Sequence, residues 1–292
     1  MEENLNTKNI KDDAKLSTIY VNSQASQSND GSDRNNPTTL TNAVNNIADG
    51  GTIYLITDSL SDTYNLTSSI SLSRYSTNIN SLNIVGEENK NITISGNNKT
   101  QILNIYSTTI NISNVNFRDT QLDSSSSIYA SSSTVNFINC TFSNNYRKDY
   151  GAGIYASYST VNLNSCRFNN NTADYGGAIY LSRSNMTVDS SQFNDNIAFS
   201  GAAIYALNSK VIVNASNYTG NNASFGASIF NLKSNITCNN TRFDRNSALY
   251  YGGAITHLSE GKNFINNSYF TSNTARYGGA IYVMQSDLNI TS

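Results

Sequence analysis

The sequence predicts an all-β protein: a right-handed parallel β-helix with three strands per coil and a short capping helix at its amino end. Three observations lead there. A tract of about 25 residues recurs along residues 110–292, with the same residue types at the same offsets. Inside each tract apolar residues alternate with polar ones, as in Val161 and Leu163 or Val211 and Val213, which is the period of a strand and not of a helix. Asn, Gly, Ser and Asp fill the gaps between these runs, and they suit turns because they tolerate positive φ or bond their own backbone. A fixed period in this range makes each repeat one unit that buries its apolar side only against its neighbours.

Each element follows from the alignment of the repeats. A glycine element precedes the first strand: Gly151-Ala152-Gly153-Ile154, Gly176-Gly177-Ala178-Ile179, and so on to Gly278-Gly279-Ala280-Ile281. The first strand carries a column of Ile at 128, 154, 179, 204, 229, 255 and 281. The second carries Ile112, Phe137, Leu163, Val188, Val213, Cys238 and Ile265. The third ends on an aromatic column, Phe117, Phe142, Phe168, Phe193, Tyr218, Phe243 and Phe270, with an Asn three residues on from Asn145 to Asn273. Stacked at a strand spacing of about 4.8 Å, these columns form a continuous core. The Asn column reads as a corner ladder in which amides bond backbone groups and one another. The glycines read as corner geometry, since the strand–loop–helix setting of a phosphate loop is missing.

The amino end is less regular. Leu40, Val44 and Ile47 share one helical face behind Pro37, and Gly50-Gly51 supplies a stop, so a short helix is expected to cover the first coil. Residues 1–16 read as a disordered leader, 17–109 as the cap and irregular first coils, and 110–292 as regular repeats, giving nine or ten coils. The leader holds no apolar run, and the chain stops on the strand of Leu288 and Ile290 before its aromatic corner. A solenoid end needs a cap, so a piece of a longer protein is expected, with signal and anchor elsewhere.

Composition narrows the functional classes. Charged residues are 13% and the net charge is −2, which argues against a nucleic-acid partner. No stretch is long and apolar enough to span a bilayer. Cys140 and Cys166 share a column, where a disulfide is conceivable but two reduced core thiols are the plainer reading. No metal-ligand spacing is present and His257 is the sole histidine, so neither metal nor cofactor is expected.

The glycine and aromatic-x-x-Asn elements together resemble the repeats of the chlamydial polymorphic outer-membrane proteins. Ile19-Tyr20-Val21-Asn22, Asn29-Asp30-Gly31-Ser32 and Ala48-Asp49-Gly50-Gly51-Thr52-Ile53 resemble more closely the start of the Asn/Thr-rich adhesin-like proteins of methanogenic archaea. The resemblance covers about residues 17–292 and implies extracellular display, adhesion and a solenoid like that of pectate lyase. Several glycine copies are degraded, such as Ser125-Ser126-Ser127-Ile128.

Candidate ligand-binding residues are those following each core Ile: Tyr129, Tyr155, Tyr180, Tyr205, Phe230 and Tyr282. Period two points them outward, where a tyrosine ridge offers apolar area and hydroxyls to glycans or proteins on another cell; the same series also suits a plain sheet surface with β propensity. A second set, Tyr150, Tyr175, Phe225, Tyr250 and Tyr277, reads as corner cover. The favoured function is a monomeric, non-enzymatic adhesin fragment; the alternatives are a structural spacer and a polysaccharide lyase or hydrolase. Hydrolysis needs carboxylates about 5–9 Å apart on neighbouring coils, whereas Asp119, Asp149, Asp174, Asp189, Asp195 and Asp244 read as belonging to different columns. About fourteen Asn-x-Ser/Thr sequons, among them Asn65, Asn185 and Asn235, allow glycosylation.

Overall fold

The computed structural model describes residues 15–292; most of the expected leader, residues 1–14, lies outside the described residues. Every strand pairing is parallel and joins a residue to its counterpart one repeat on. Sheet I stacks nine Ile-Tyr strands, sheet II eleven Val-x-Val strands and sheet III nine strands of the aromatic type. The register reproduces the aligned columns: Ile154 pairs Ile179, Leu163 pairs Val188, and Phe168 pairs Phe193.

The core runs down the axis. The isoleucines from Ile128 to Ile255 are fully buried, and Ile281 packs partly buried at the last coil. The aromatic column stacks face to face, with Phe142 on Phe168 at 4.6 Å and 2°, Phe168 on Phe193 at 4.8 Å and 4°, and Phe193 on Tyr218 at 4.7 Å and 1°. Like on like fills the coil at every level while each repeat contacts only its neighbours.

Three polar ladders hold the corners. Asn171 Nδ2 donates to Asn196 Oδ1 at 3.0 Å and to the Phe142 carbonyl at 3.0 Å, and the Asn171 backbone N–H donates to the same Asn196 Oδ1. The motif repeats from Asn145 to Asn273. Hydroxyls serve the other two corners, where the Ser159 N–H donates to Ser184 Oγ and the Cys166 N–H to Ser191 Oγ, both at 3.0 Å. Buried corner amides are thereby paired, which is the condition for burying a turn at all. The thiols of Cys140, Cys166 and Cys238 are free and buried.

Two features depart from expectation. The helix α1 (Leu40–Asn46) is shorter than the span from Pro37 to the glycines, because Thr39 caps it and the next strand begins at Ile47. Its Leu40, Ala43 and Val44 are buried, and it packs on strands Leu16–Val21 and Ile47–Leu55 as the expected cover. Between residues 172 and 251 each coil also gains a fourth strand, forming a four-stranded sheet IV from Thr172–Tyr175, Ile197–Ser200, Asn222–Phe225 and Ser247–Tyr251. It occupies the tract between the Asn corner and the glycine.

The interior changes character near residue 257. Asn231 and His257 pair in register in the column that holds Ala206 and Leu181 in earlier coils. Asn231 Nδ2 lies 2.9 Å from His257 Nδ1 and 2.9 Å from Asn263 Oδ1, and all three side chains are buried. His257 Nε2 has no partner, and burial lowers the His257 pKa to about 4.

Candidate binding face

The six predicted residues form one file on the outer side of sheet I, since Tyr129 pairs Tyr155, Tyr155 pairs Tyr180, Tyr180 pairs Tyr205 and Tyr205 pairs Phe230. Thr256 interrupts it before Tyr282. They are not an exposed ridge. Tyr180, Tyr205 and Phe230 keep 6%, 8% and 7% of their surface, and Tyr129, Tyr155 and Tyr282 are half-buried. The middle three belong to a second apolar cluster with Tyr155, Tyr175 and Phe225.

Corner geometry causes the cover. Gly151 and Gly176 adopt φ of +59° and +66°, the left-handed region where a side chain is costly. A Cβ on Gly176 would also collide with the Ile179 carbonyl oxygen. The turn lays the preceding aromatic over the outward Tyr of the next coil: Tyr150 sits 4.7 Å from Tyr180 and Tyr175 5.5 Å from Tyr205, ring to ring. Burial raises the Tyr180 pKa and pushes Tyr205 up to about 12, so these hydroxyls stay neutral.

What reaches solvent is the outer side of sheet IV and the corner beside it. Leu249 is 61% exposed, Ile197 52% and Phe199 49%, and Tyr146, Tyr150, Tyr250 and Tyr277 are also exposed. Phe199 and Leu249 were missed from sequence because they sit outside the repeated signature; their signal was the alternation around Ala198 and Ala248. The rings stack along the axis, Tyr150 on Tyr175 at 5.5 Å and 24° and Phe225 on Tyr250 at 5.4 Å and 28°. Faces turned on one another leave ring edges and hydroxyls outward.

Beneath sheet IV lies a layer of small residues, Ala202, Ala223, Ala227 and Ala248, which lets the extra sheet sit close. In the first coil of this series Arg147 takes the alanine position. Its guanidinium is buried, donates from Nη1 to Ser126 Oγ at 2.9 Å, and lies 5.2 Å from the Tyr155 ring. Burial lowers its pKa.

One file on this face carries charge. Tyr150 bridges to Tyr175, Tyr175 pairs Ser200, Ser200 pairs Phe225, Phe225 pairs Tyr251, and Tyr251 bridges to Tyr277. The residues one place earlier therefore follow one another as Asp149, Asp174, Phe199, Ser224, Tyr250 and Arg276, with a bulge between Ala223 and Phe225 that sets both Leu249 and Tyr250 against Ser224. Asp149 and Asp174 thus share a column, contrary to the sequence reading. An extra residue between Tyr146 and Tyr150, relative to Thr172–Tyr175, moves Asp149 into register. Both carboxylates are exposed, as is Arg276. Asp244, by contrast, is buried between Arg242 and Arg245, 3.1 Å from the latter.

No group of three or more His, Cys, Asp or Glu placed to hold a metal occurs among the described residues. A separate polar groove of about 570 Å³ lies beside sheet III, lined by Lys90, Asn91, Asn116, Thr141 and Arg167. Lys90 Nζ donates within it to the Ser59 carbonyl at 2.8 Å.

Residues 128–292 match the family described as the right handed beta helix region. The chain belongs to that family. The β-helix is similar to solved structures at low identity. Pectate lyase Pel9A aligns with a TM-score of 0.55 at 14% identity, over 92% of this chain and 78% of that one. A Geobacillus virus E2 protein, ORF18, gives 0.45 at 13% over 92% and 62%, and a rhamnogalacturonan lyase 0.35 at 14% over 86% and 74%. At this identity the pectate lyase likeness speaks for the fold alone. No curated protein sequence matches the chain.

Proposed function

We propose that this β-helix is a non-enzymatic, surface-displayed rod that binds glycans or proteins of another surface through the outer side of sheet IV. One observation carries the reading: on four of the six coils along this edge large apolar side chains stay exposed, Tyr150, then Ile197 and Phe199, then Leu249 and Tyr250, then Tyr277, on an otherwise Asn- and Ser-rich surface. Contiguous exposed apolar patches mark interaction sites, and Tyr and Phe give contact area at low entropy cost. The predicted file from Tyr129 to Tyr282 packs against the corner rings Tyr150 and Tyr175 at the edge of this strip instead of forming it.

The test uses the purified protein on a glycan array and on whole microbial cells. Phe199→Ser, Leu249→Ser and Tyr250→Ser together should abolish retention at unchanged thermal stability; undiminished retention rules out this face. A second reading, glycan cleavage, draws on the in-register pair Asp149 and Asp174. Incubation with acidic polysaccharides and a reducing-end assay decides it: cleavage lost in Asp149→Asn supports the enzyme, and no cleavage leaves the binding rod.

A further inference from the structure

The order of residues along the charged file names a partner for this face. Two acids, Asp149 and Asp174, stand at one end, Phe199 and Ser224 in the middle, and Tyr250 and Arg276 at the other end. All but Ser224, which is half-buried, are exposed. Such a file is complementary to its own reverse. If two copies meet on this face about a two-fold axis along the strand direction, one rod is reversed and the file lies on itself. Asp149 then faces Arg276 of the second copy, Asp174 faces the Tyr250 hydroxyl as acceptor to donor, and the large Phe199 faces the small Ser224. Each contact occurs twice. Turning the rods parallel instead puts acid over acid and Arg over Arg, which costs free energy. Lys148, also exposed, falls one residue outside the file.

We infer that the partner of this face is a second copy of the same chain, bound side by side and antiparallel. The inference rests on the proposed surface role for its setting, since antiparallel pairing is the arrangement of rods projecting from two opposed surfaces. Ring edges and aliphatic side chains at Ile197, Phe199 and Leu249 suit an apolar protein surface better than the flat faces sugar rings stack on. The charge order, acid to base along the axis, has no use for a neutral glycan. Five strand spacings make the strip about 24 Å long. One short strand wide, it covers on the order of 600 Å² in total, below the roughly 1,200 Å² of a stable complex. Single copies therefore pair weakly, and many copies on one surface make the contact effective by multivalency.

Sedimentation from micromolar to millimolar concentration tests this. The wild type should associate reversibly, less so in high salt. Asp149→Arg and Arg276→Glu should each weaken self-association by about tenfold or more, because both copies then present like charges. An equimolar mixture of the two variants should regain wild-type affinity, and so should one chain carrying both changes, since every contact again joins opposite charges. Both positions are exposed, so the unfolding midpoint should not move. A wild type that stays monomeric at millimolar concentration overturns the inference, as does a mixture that fails to recover. If the Phe199, Leu249 and Tyr250 triple variant still loses cell or glycan retention in that case, the binding face stands and only its partner is wrong.

Discussion

The inner aromatic file, Phe117 to Phe270, and the outer one, Tyr129 to Tyr282, come from the same repeat at the same spacing. Inside, every ring from Phe117 to Phe243 is fully buried, and neighbours from Phe142 to Tyr218 stack within a few degrees of parallel. Outside, order is looser: Tyr155 meets Tyr180 at 85°, while Tyr180 meets Tyr205 at 18°. An inward ring is enclosed by three sheets whatever the local sequence. An outward ring is covered where a neighbour reaches it: a corner aromatic from the coil before over Tyr180 and Tyr205, and the stacked Tyr205 ring over Phe230. Burial inside is a property of parity, and burial outside is a property of neighbours.

The largest effect that separates the files should come from Phe193→Ala. It opens a cavity in a stack that cannot collapse and should cost about 4 kcal/mol, read as a lowered denaturation midpoint. An outcome near that of a surface change would dissolve the distinction. Acid sharpens a second contrast, between the apolar coils and those around His257. The folded pKa of about 4 lies below the ordinary 6.5, so the unfolded chain takes up the proton first. Stability is then full above pH 6.5, falls as pH drops, and levels off below about 4, losing about 3 kcal/mol in all. Urea melts of the wild type beside Asn231→Ala with His257→Leu, which copy Ala206 and Leu181, measure it: the double variant should lose less stability over this range. Next comes the corner. Asn196→Ala strips a partner from the Phe168 carbonyl and the Asn171 N–H and should cost about 2 kcal/mol, visible as faster amide exchange at Asn171. Smallest is Phe199→Ser on the outer strip, under about 0.5 kcal/mol, although the same change should weaken retention on a binding surface.

Much of the fold was legible in the sequence. The repeat placed Ile154 over Ile179 and Phe168 over Phe193 because a parallel coil of fixed length leaves no other register. Asn231 and His257, two residues on from Ile229 and Ile255, share the inward parity of the isoleucine column and are buried. The site was harder to read. Tyr180 and Tyr205 point outward as expected, yet Tyr150 and Tyr175 close over them, and no periodicity reports a contact made across coils by a corner.

What the sequence alone determined is the parallel β-helix, its columns and its Asn corner ladder, since each follows from spacing and alternation within one repeat. Tertiary structure alone decided which outward rings stay exposed, that Asp149 joins Asp174 in one file, and that Asn231, His257 and Asn263 meet in a single polar cluster. The reason is one of distance along the chain. Alternation tells a residue which side of its own strand it occupies. What lies across from it depends on a turn one coil away, where a positive φ at Gly151 or one extra residue before Tyr150 shifts the neighbour by a full side chain.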